Sequence, residues 1–220
     1  MARRKKSAPS GDTVGIVVLA GGTSARLGGG DKTALDVGGM SILHRLLTEL
    51  PTWPTVVVAP DPAEALPAGL GHVRFVRENP PGGGPAVGLA AGAAALPAGV
   101  TLVVALAGDQ PFAASVVPRL VARIEEDEQT DGVLSVDAAG RRQPLLAVYR
   151  RSALKRALAL VRSGDRLQPS LAGISGGFIP ASLAETLDVD NSADLALARD
   201  IVDAREAGDA REAQPEGQSS

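Results

Sequence analysis

The run Val14–Leu19 leads directly into Ala20-Gly21-Gly22, and the loop beyond carries Arg26, Gly28–Gly30 and Asp31-Lys32. An apolar strand that ends in glycines leaves backbone N–H groups without side-chain cover. Such groups cradle phosphates, and nearby cations offset their charge. Arg26 and Lys32 are the candidate cations. Lys32 lies ten residues past Gly22, so this is not a P-loop; nor does it match the dinucleotide fingerprint G-x-G-x-x-G. A longer loop of this kind can wrap a triphosphate. A plain glycine-rich turn with two solvated cations is the alternative for the glycines alone.

A second group, Ala107-Gly108-Asp109-Gln110-Pro111-Phe112, ends the hydrophobic run Thr101–Leu106. A carboxylate at the end of a buried strand can hold Mg²⁺, which would bridge to triphosphate oxygens and offset charge as the leaving group departs. The competing reading has Asp109 capping the helix that follows. A third group, Pro80-Pro81-Gly82-Gly83-Gly84-Pro85-Ala86-Val87-Gly88, opens a helix of small residues; its bare backbone would let a flat base or a ribose approach closely. In a fourth, Asp188-Val189-Asp190-Asn191-Ser192, Asn191 or Ser192 can cap the last helix. Asp190 is there a candidate second carboxylate for the metal, or a contact for the acceptor. Two cationic groups, Arg141-Arg142 and Gly164-Asp165-Arg166, are candidates to receive an anionic second substrate. His44 and His72 sit in no ligand-like spacing and read as structural.

These residues need a frame that gathers them. Apolar runs place strands at Val14–Leu19, Thr55–Ala59, Val73–Val76, Thr101–Leu106, Gly132–Val136 and Leu145–Tyr149. Their continuous apolar character suits strands covered on both faces. Helices are expected over Ser41–Leu50, Pro85–Ala95, Ala114–Glu126, Arg151–Arg162 and Ser192–Arg205, with Ser41 and Ser192 as caps and Pro85 in a first turn. Strand–helix alternation predicts a doubly wound, Rossmann-like α/β fold: a mostly parallel sheet with helices on both faces. Ligands bind such sheets beyond the carboxyl ends of the strands, where Gly21-Gly22 and Asp109 belong. A single domain is expected over residues 13–205. A mobile basic tail is expected over 1–12, and a frayed or disordered one over 206–220, where apolar residues nearly vanish.

Composition narrows the partners. The net charge is −3, and four of the positive charges cluster at Arg3, Arg4, Lys5 and Lys6. The chain has one Trp, one Tyr and three Phe, too few for a stacking platform, so no nucleic-acid partner is expected. There are no cysteines, which excludes disulfides, thiolate metal sites and cysteine nucleophiles and fits a cytoplasmic protein. No apolar run reaches membrane-spanning length, and the basic start is followed by polar residues rather than a signal-peptide core. No membrane partner is expected.

Taken in order, the groups resemble the MobA-like nucleotidyltransferases and, within them, the molybdenum cofactor guanylyltransferases. The resemblance rests on Leu19-Ala20-Gly21-Gly22, Arg26, Gly28 and Asp31-Lys32, on Gly84-Pro85-Ala86-Val87-Gly88, and on Asp109-Gln110-Pro111. It continues through Pro144–Tyr149, Gly164-Asp165-Arg166 and Asp188–Asp190, covering about residues 14–200. It implies a nucleotide-diphospho-sugar transferase-like fold. It also implies Mg²⁺-dependent transfer of GMP from GTP to the terminal phosphate of molybdopterin, with release of pyrophosphate. Carried over, Leu19, Ala20, Gly21, Gly22 and Gly84 contact the nucleotide, Arg26 and Lys32 the phosphates, and Asp109 both metal and nucleotide. Proteins that deliver or receive the cofactor are the implied partners. Two positions depart from the pattern: Ala59 stands where Asn is common, and Glu78 is the nearest match to the acidic residue before the Gly-Pro turn. Cytidylyl transfer to the same cofactor, nucleotidyl transfer to another phosphorylated small molecule, and a nucleotide-binding module without catalysis are the alternatives.

Overall fold

A computed structural model describes residues 14–21, 32–59 and 69–212, with side chains to residue 208. Gly22, Arg26, Gly28, Asp31 and the tail over 1–12 lie outside the described residues. The described residues form nine strands: β1 (Val14–Leu19), β2 (Asp36–Val37), β3 (Met40–Ser41), β4 (Thr55–Val58), β5 (Val73–Val76), β6 (Leu102–Ala107), β7 (Gly132–Val136), β8 (Arg142–Arg150) and β9 (Gly176–Pro180). The helices are α1 (Ile42–Glu49), α2 (Pro85–Ala95), α3 (Val117–Glu125), α4 (Arg151–Ala157), α5 (Leu167–Ser170) and α6 (Ser192–Glu212). Short 3₁₀ turns occupy Lys32–Ala34 and Ala113–Val116.

Seven strands form one sheet in the order β5-β4-β1-β6-β8-β7-β9. The strands β5, β4, β1 and β6 run parallel to their neighbours, as does β9 to β7; β8 alone is antiparallel to both of its neighbours. The sheet is therefore mostly parallel, as the strand–helix alternation predicts. β2 and β3 form a separate small hairpin.

Successive strand residues point to opposite faces, and β1 shows what each face buries. Val14, Ile16 and Val18 pack with Leu46 of α1 and Leu120 and Ile124 of α3. Val17 packs on the other side with Leu89 of α2 and Leu154 of α4. Full burial on both sides explains the unbroken apolar runs of β1 and β6. A third cluster joins Val37, Ile42, Phe112, Leu187, Val189, Ala198 and Val202. It fastens α6 and the segment before it to the residues just past the end of β6.

Several elements differ from the sequence expectation. The expected Ala114–Glu126 helix is a 3₁₀ turn followed by α3. The expected Arg151–Arg162 helix stops at Ala157; beyond it Leu158 is still buried in the core, but Leu160 is 88% exposed. α6 continues past Arg205 to Glu212. β9, α5 and the β2–β3 hairpin were not anticipated. Ser41 caps α1, its Oγ accepting from the His44 N–H at 3.2 Å. At α6 the cap is Asn191 rather than Ser192: Asn191 Oδ1 accepts from the Ala193 and Asp194 N–H groups at 2.8 and 3.1 Å. Among the described residues, no helix is long and apolar enough to cross a membrane.

Candidate active site

β1 and β6 pair in parallel, with Leu19 opposite Ala107. Gly21 and Asp109 each lie two residues beyond those partners, so they leave the sheet side by side at its carboxyl edge. The exits are tied together by Gly108 N–H donating to the Leu19 carbonyl at 2.8 Å. A β-carbon at Gly108 would sit 3.1 Å from both Ala20 Cα and the Leu19 oxygen, so glycine is what permits the close approach. On the other flank, Ala20 N–H donates to the Val58 carbonyl at 2.8 Å and Ala59 N–H to the Val76 carbonyl at 3.1 Å. Four strand ends thus form one rim.

A cavity of about 450 Å³ opens at that rim. Leu19, Val58, Ala59, Ala107 and Leu145 line its apolar side; Gly21, Arg77, Glu78, Gly84 and Asp109 supply its polar groups. Its mouth includes Gly82 and Gly84, both at positive φ (73° and 93°), where only glycine is unstrained. Gly84 precedes Pro85 at the first position of α2. Glu78 packs its carboxylate against α2, so that a β-carbon at Gly88 would stand 2.8 Å from Glu78 Oε2. The size and mixed lining suit a nucleobase with its ribose.

Asp109 borders this cavity and also faces a charged cluster. Lys32, only 16% exposed, pairs its ammonium with the carboxylate of Asp190, which is 49% exposed. Burial raises the Asp109 pKa above the usual carboxylate value, with Asp190 adding to the rise. Hydrogen bonding at its own backbone and the charge of Lys32 oppose it. The segment carrying Asp190 is held to Asp109 by Val189 N–H donating to the Asp109 carbonyl at 3.1 Å. Leu187 and Val189 are buried in the third core. The alternate positions Asp188 and Asp190 therefore point the other way.

Asp188 joins this cluster; the sequence reading places it in the Asp188–Asp190 segment but gives it no role of its own. Gln110 Nε2 donates to Asp188 Oδ1 at 2.7 Å. Desolvation by the surrounding protein and the Asp109 charge push the Asp188 carboxyl up to about 6. Gln110 is 2% exposed, and its Oε1 is a buried acceptor with no partner. The one available sequence signal was the Asp-x-Asp spacing itself.

The 3₁₀ turn Ala113–Val116 has no side-chain cap, so Asp109 does not serve as that cap. Arg141 pairs with Asp137 at 2.6 Å, and Arg142 stacks over the Phe178 ring at 4.6 Å. Both arginines are solvent-exposed. Gly164 N–H donates to the Gly83 carbonyl at 3.0 Å. This brings Arg166 to a second cavity of about 350 Å³ that shares Gly84 and Pro85 with the first. Asp109, Asp188 and Asp190 are hard oxygen donors of the kind Mg²⁺ takes, and the orphaned Gln110 Oε1 adds an acceptor beside them. The donor chemistry fits. Among the described residues, however, no three acidic or histidine side chains converge closely enough to hold a metal ion as they stand.

Residues 16–174 match the profile of the MobA-like NTP transferase domain. The chain belongs to this family of nucleotidyltransferases. It is similar to a molybdenum cofactor guanylyltransferase from Mesorhizobium japonicum: 36% identical over 149 residues, 63% of this chain and 67% of that protein. It is also similar to one from Rhodopseudomonas palustris, 35% identical over 143 residues, 60% of this chain and 65% of that protein. The matched segments thus span about two thirds of these relatives' length. Among solved structures, the molybdopterin-guanine dinucleotide biosynthesis protein A from Archaeoglobus fulgidus shares the fold. Its TM-score is 0.66 at 23% identity, covering 86% of this chain and 99% of that one. The sheet and its helices are those of the nucleotide-diphospho-sugar transferase fold.

Proposed function

We propose that this nucleotidyltransferase moves GMP from GTP to the terminal phosphate of molybdopterin, with Mg²⁺, releasing pyrophosphate. The observation that carries the reading is the shared rim, where Gly21 and Asp109 line a cavity that also contains Glu78 and Gly84, with Lys32 within electrostatic reach of Asp109. The names of the two curated relatives supply the acceptor and the base.

In this reading the cavity takes guanine and ribose, with Leu19, Ala20 and Gly21 along the nucleotide and Gly84 at the mouth. The Glu78 carboxylate accepts from two adjacent N–H donors. Guanine presents such a pair on its Watson–Crick edge, and cytosine does not. Lys32 and Arg26 neutralise the triphosphate. Asp109 holds the metal, with Asp190 and Asp188 beside it. Bound there, Mg²⁺ supplies charge neutralisation at the phosphoryl oxygens. An oxygen of the acceptor phosphate forms the new bond to the α-phosphorus while the α–β anhydride bond breaks and pyrophosphate leaves. The chain contributes alignment and charge rather than covalent chemistry. The second cavity, bordered by Arg166, offers room for the acceptor. Proteins that deliver or receive the cofactor would dock around that opening.

Cytidylyl transfer is the second reading. It is favoured by Ala59, which leaves the cavity wall without a side-chain amide beside Glu78. The deciding experiment follows pyrophosphate release with molybdopterin, Mg²⁺ and each of GTP, CTP, ATP and UTP. Release with GTP alone is the expected result; release with CTP alone reassigns the base; no release with any of the four overturns the activity.

A further inference from the structure

Lys32, assigned above to the triphosphate, already has a partner. Its ammonium is sheltered and sits on the carboxylate of Asp190. An anion that approaches Lys32 must first displace Asp190, and its affinity falls by whatever that pair contributes. The wider field adds to the cost. Asp109 stands near enough to Asp188 to raise its pKa, and both sense Lys32 and Asp190. Among the described residues, the cluster of Asp109, Asp188, Asp190 and Lys32 sets three carboxylates against one ammonium, and a metal-free triphosphate would enter against that charge.

The backbone does not offer an easy release. Val189 is fully buried, and its N–H is bonded to the Asp109 carbonyl. The Asp190 and Asn191 N–H groups both donate to Asp194 Oδ2, at 3.0 and 3.1 Å. Asp190 can leave Lys32 only by swinging its side chain, which is the more solvent-facing member of the pair. A carboxylate swings away from a lysine when another cation offers a better contact. A divalent ion beside Asp109 is such a cation, and Asp109 lies within electrostatic reach of both members of the pair.

We infer that Asp190 selects the metal-complexed triphosphate over the free one: it occupies Lys32 against metal-free nucleotide and gives the lysine up when a divalent ion takes its carboxylate. The selection rests on the reading of Lys32 as a triphosphate contact. Asp190 is thereby a specificity-determining residue for the form of the substrate, beyond any part it plays as a ligand.

The test is equilibrium binding, by calorimetry in the absence of acceptor, of GTP and of CTP. Each is measured with magnesium in excess and with a chelator, for the wild type, Asp190→Asn, Asp190→Ala and Lys32→Ala. The wild type is expected to bind the better of the two nucleotides at least tenfold more tightly with magnesium. In both Asp190 variants the metal-free affinity should rise, by about three- to fivefold for a half-exposed pair, and the gap between the two conditions should narrow. Metal-free affinity in both variants within twofold of wild type overturns the inference, as does a wild type that binds equally well in both conditions. Lys32→Ala with unchanged affinities in both conditions overturns the assignment of Lys32 to the triphosphate, and this inference with it. A loss of affinity in Lys32→Ala together with unaltered Asp190 variants sinks the selection alone.

Discussion

Two glycine-to-alanine substitutions one turn apart in α2 should separate packing from recognition. At Gly92 a β-carbon would stand 2.4 Å from Val17 Cγ1 and 3.0 Å from Val58 Cγ2. Both valines are buried in the sheet, and β-branched side chains have few other rotamers to escape into. Overpacking of this kind costs roughly 1–3 kcal/mol. Alanine in place of glycine inside a helix returns about 1 kcal/mol. The net expectation for Gly92→Ala, with a contact as short as 2.4 Å at the upper end of that cost, is a loss of up to about 2 kcal/mol, or several degrees in Tm for a domain of this size. At Gly88 the nearest atom is Glu78 Oε2, at 2.8 Å. That is the free end of a flexible side chain, so Gly88→Ala should leave stability unchanged or raise it by up to about 1 kcal/mol. The carboxylate, however, must move off its seat in the nucleotide cavity. Weakening one charged hydrogen bond by about 1.4 kcal/mol raises the nucleotide KM about tenfold. Thermal unfolding and steady-state kinetics on both variants read the two effects separately. A Gly92→Ala protein as stable as wild type would show that α2 does not press on β1 and β4 as described. A Gly88→Ala enzyme with an unchanged KM would show that the Glu78 carboxylate does not touch the base.

Asp109→Asn should lower turnover by about a thousandfold or more, the scale of removing a main electrostatic group from a phosphoryl-transfer site. Its Tm should be unchanged or higher, because burial already opposes the charged form of Asp109; near-wild-type turnover in Mg²⁺ would remove the metal assignment. Glu185 feels burial, which opposes its charge, but the Ser182 N–H and hydroxyl, Arg119 and Ser115 outweigh it and hold the carboxyl below its usual value. Its contribution is therefore present above the ordinary carboxylate pKa and disappears as the pH falls through the lowered one. Urea titrations should find Glu185→Gln weaker by up to about 1 kcal/mol at pH 7, with the difference gone in strong acid. Arg151 donates to the carbonyls of Ala93, Leu96, Pro97 and Val100, at 2.9, 3.0, 2.5 and 3.3 Å, gathering the end of α2. Lysine lacks that fork, and Arg151→Lys should cost about 1–3 kcal/mol in chemical denaturation without changing kcat.

What the sequence makes legible is what local chemistry decides. β1, β5, β7 and α2 have the bounds their own residues predict, because apolar runs, Pro85 and flanking glycines act within a few positions. The direction of β8 was not legible, since a strand covered on both faces reads the same in either direction. β9 was missed because Gly176-Gly177-Phe178-Ile179-Pro180 is poor in strand formers. What holds it is tertiary: a β-carbon at Gly176 would lie 2.6 Å from the Gly132 oxygen, so glycine is required for β9 to lie beside β7. The extension of α6 follows from helix-forming Ala, Glu and Arg that carry a helix beyond the point where apolar residues stop.

The site divides along the same line. Gly21, Lys32, Gly84 and Asp109 could each be picked out from their own neighbours in the chain, whereas Glu78 entered only through the family resemblance. Pairings across the chain could not: Lys32 meets Asp190 across 158 residues, and Gln110 meets Asp188 across 78. Those pairings exist because the Leu19–Ala107 register sets two strand exits level, and because the third core fastens Val189 beside them. Burial alternates along this segment: Leu187 and Val189 are buried in the third core, while Asp188 and Asp190 are more exposed, and it is these two carboxylates that meet Gln110 and Lys32.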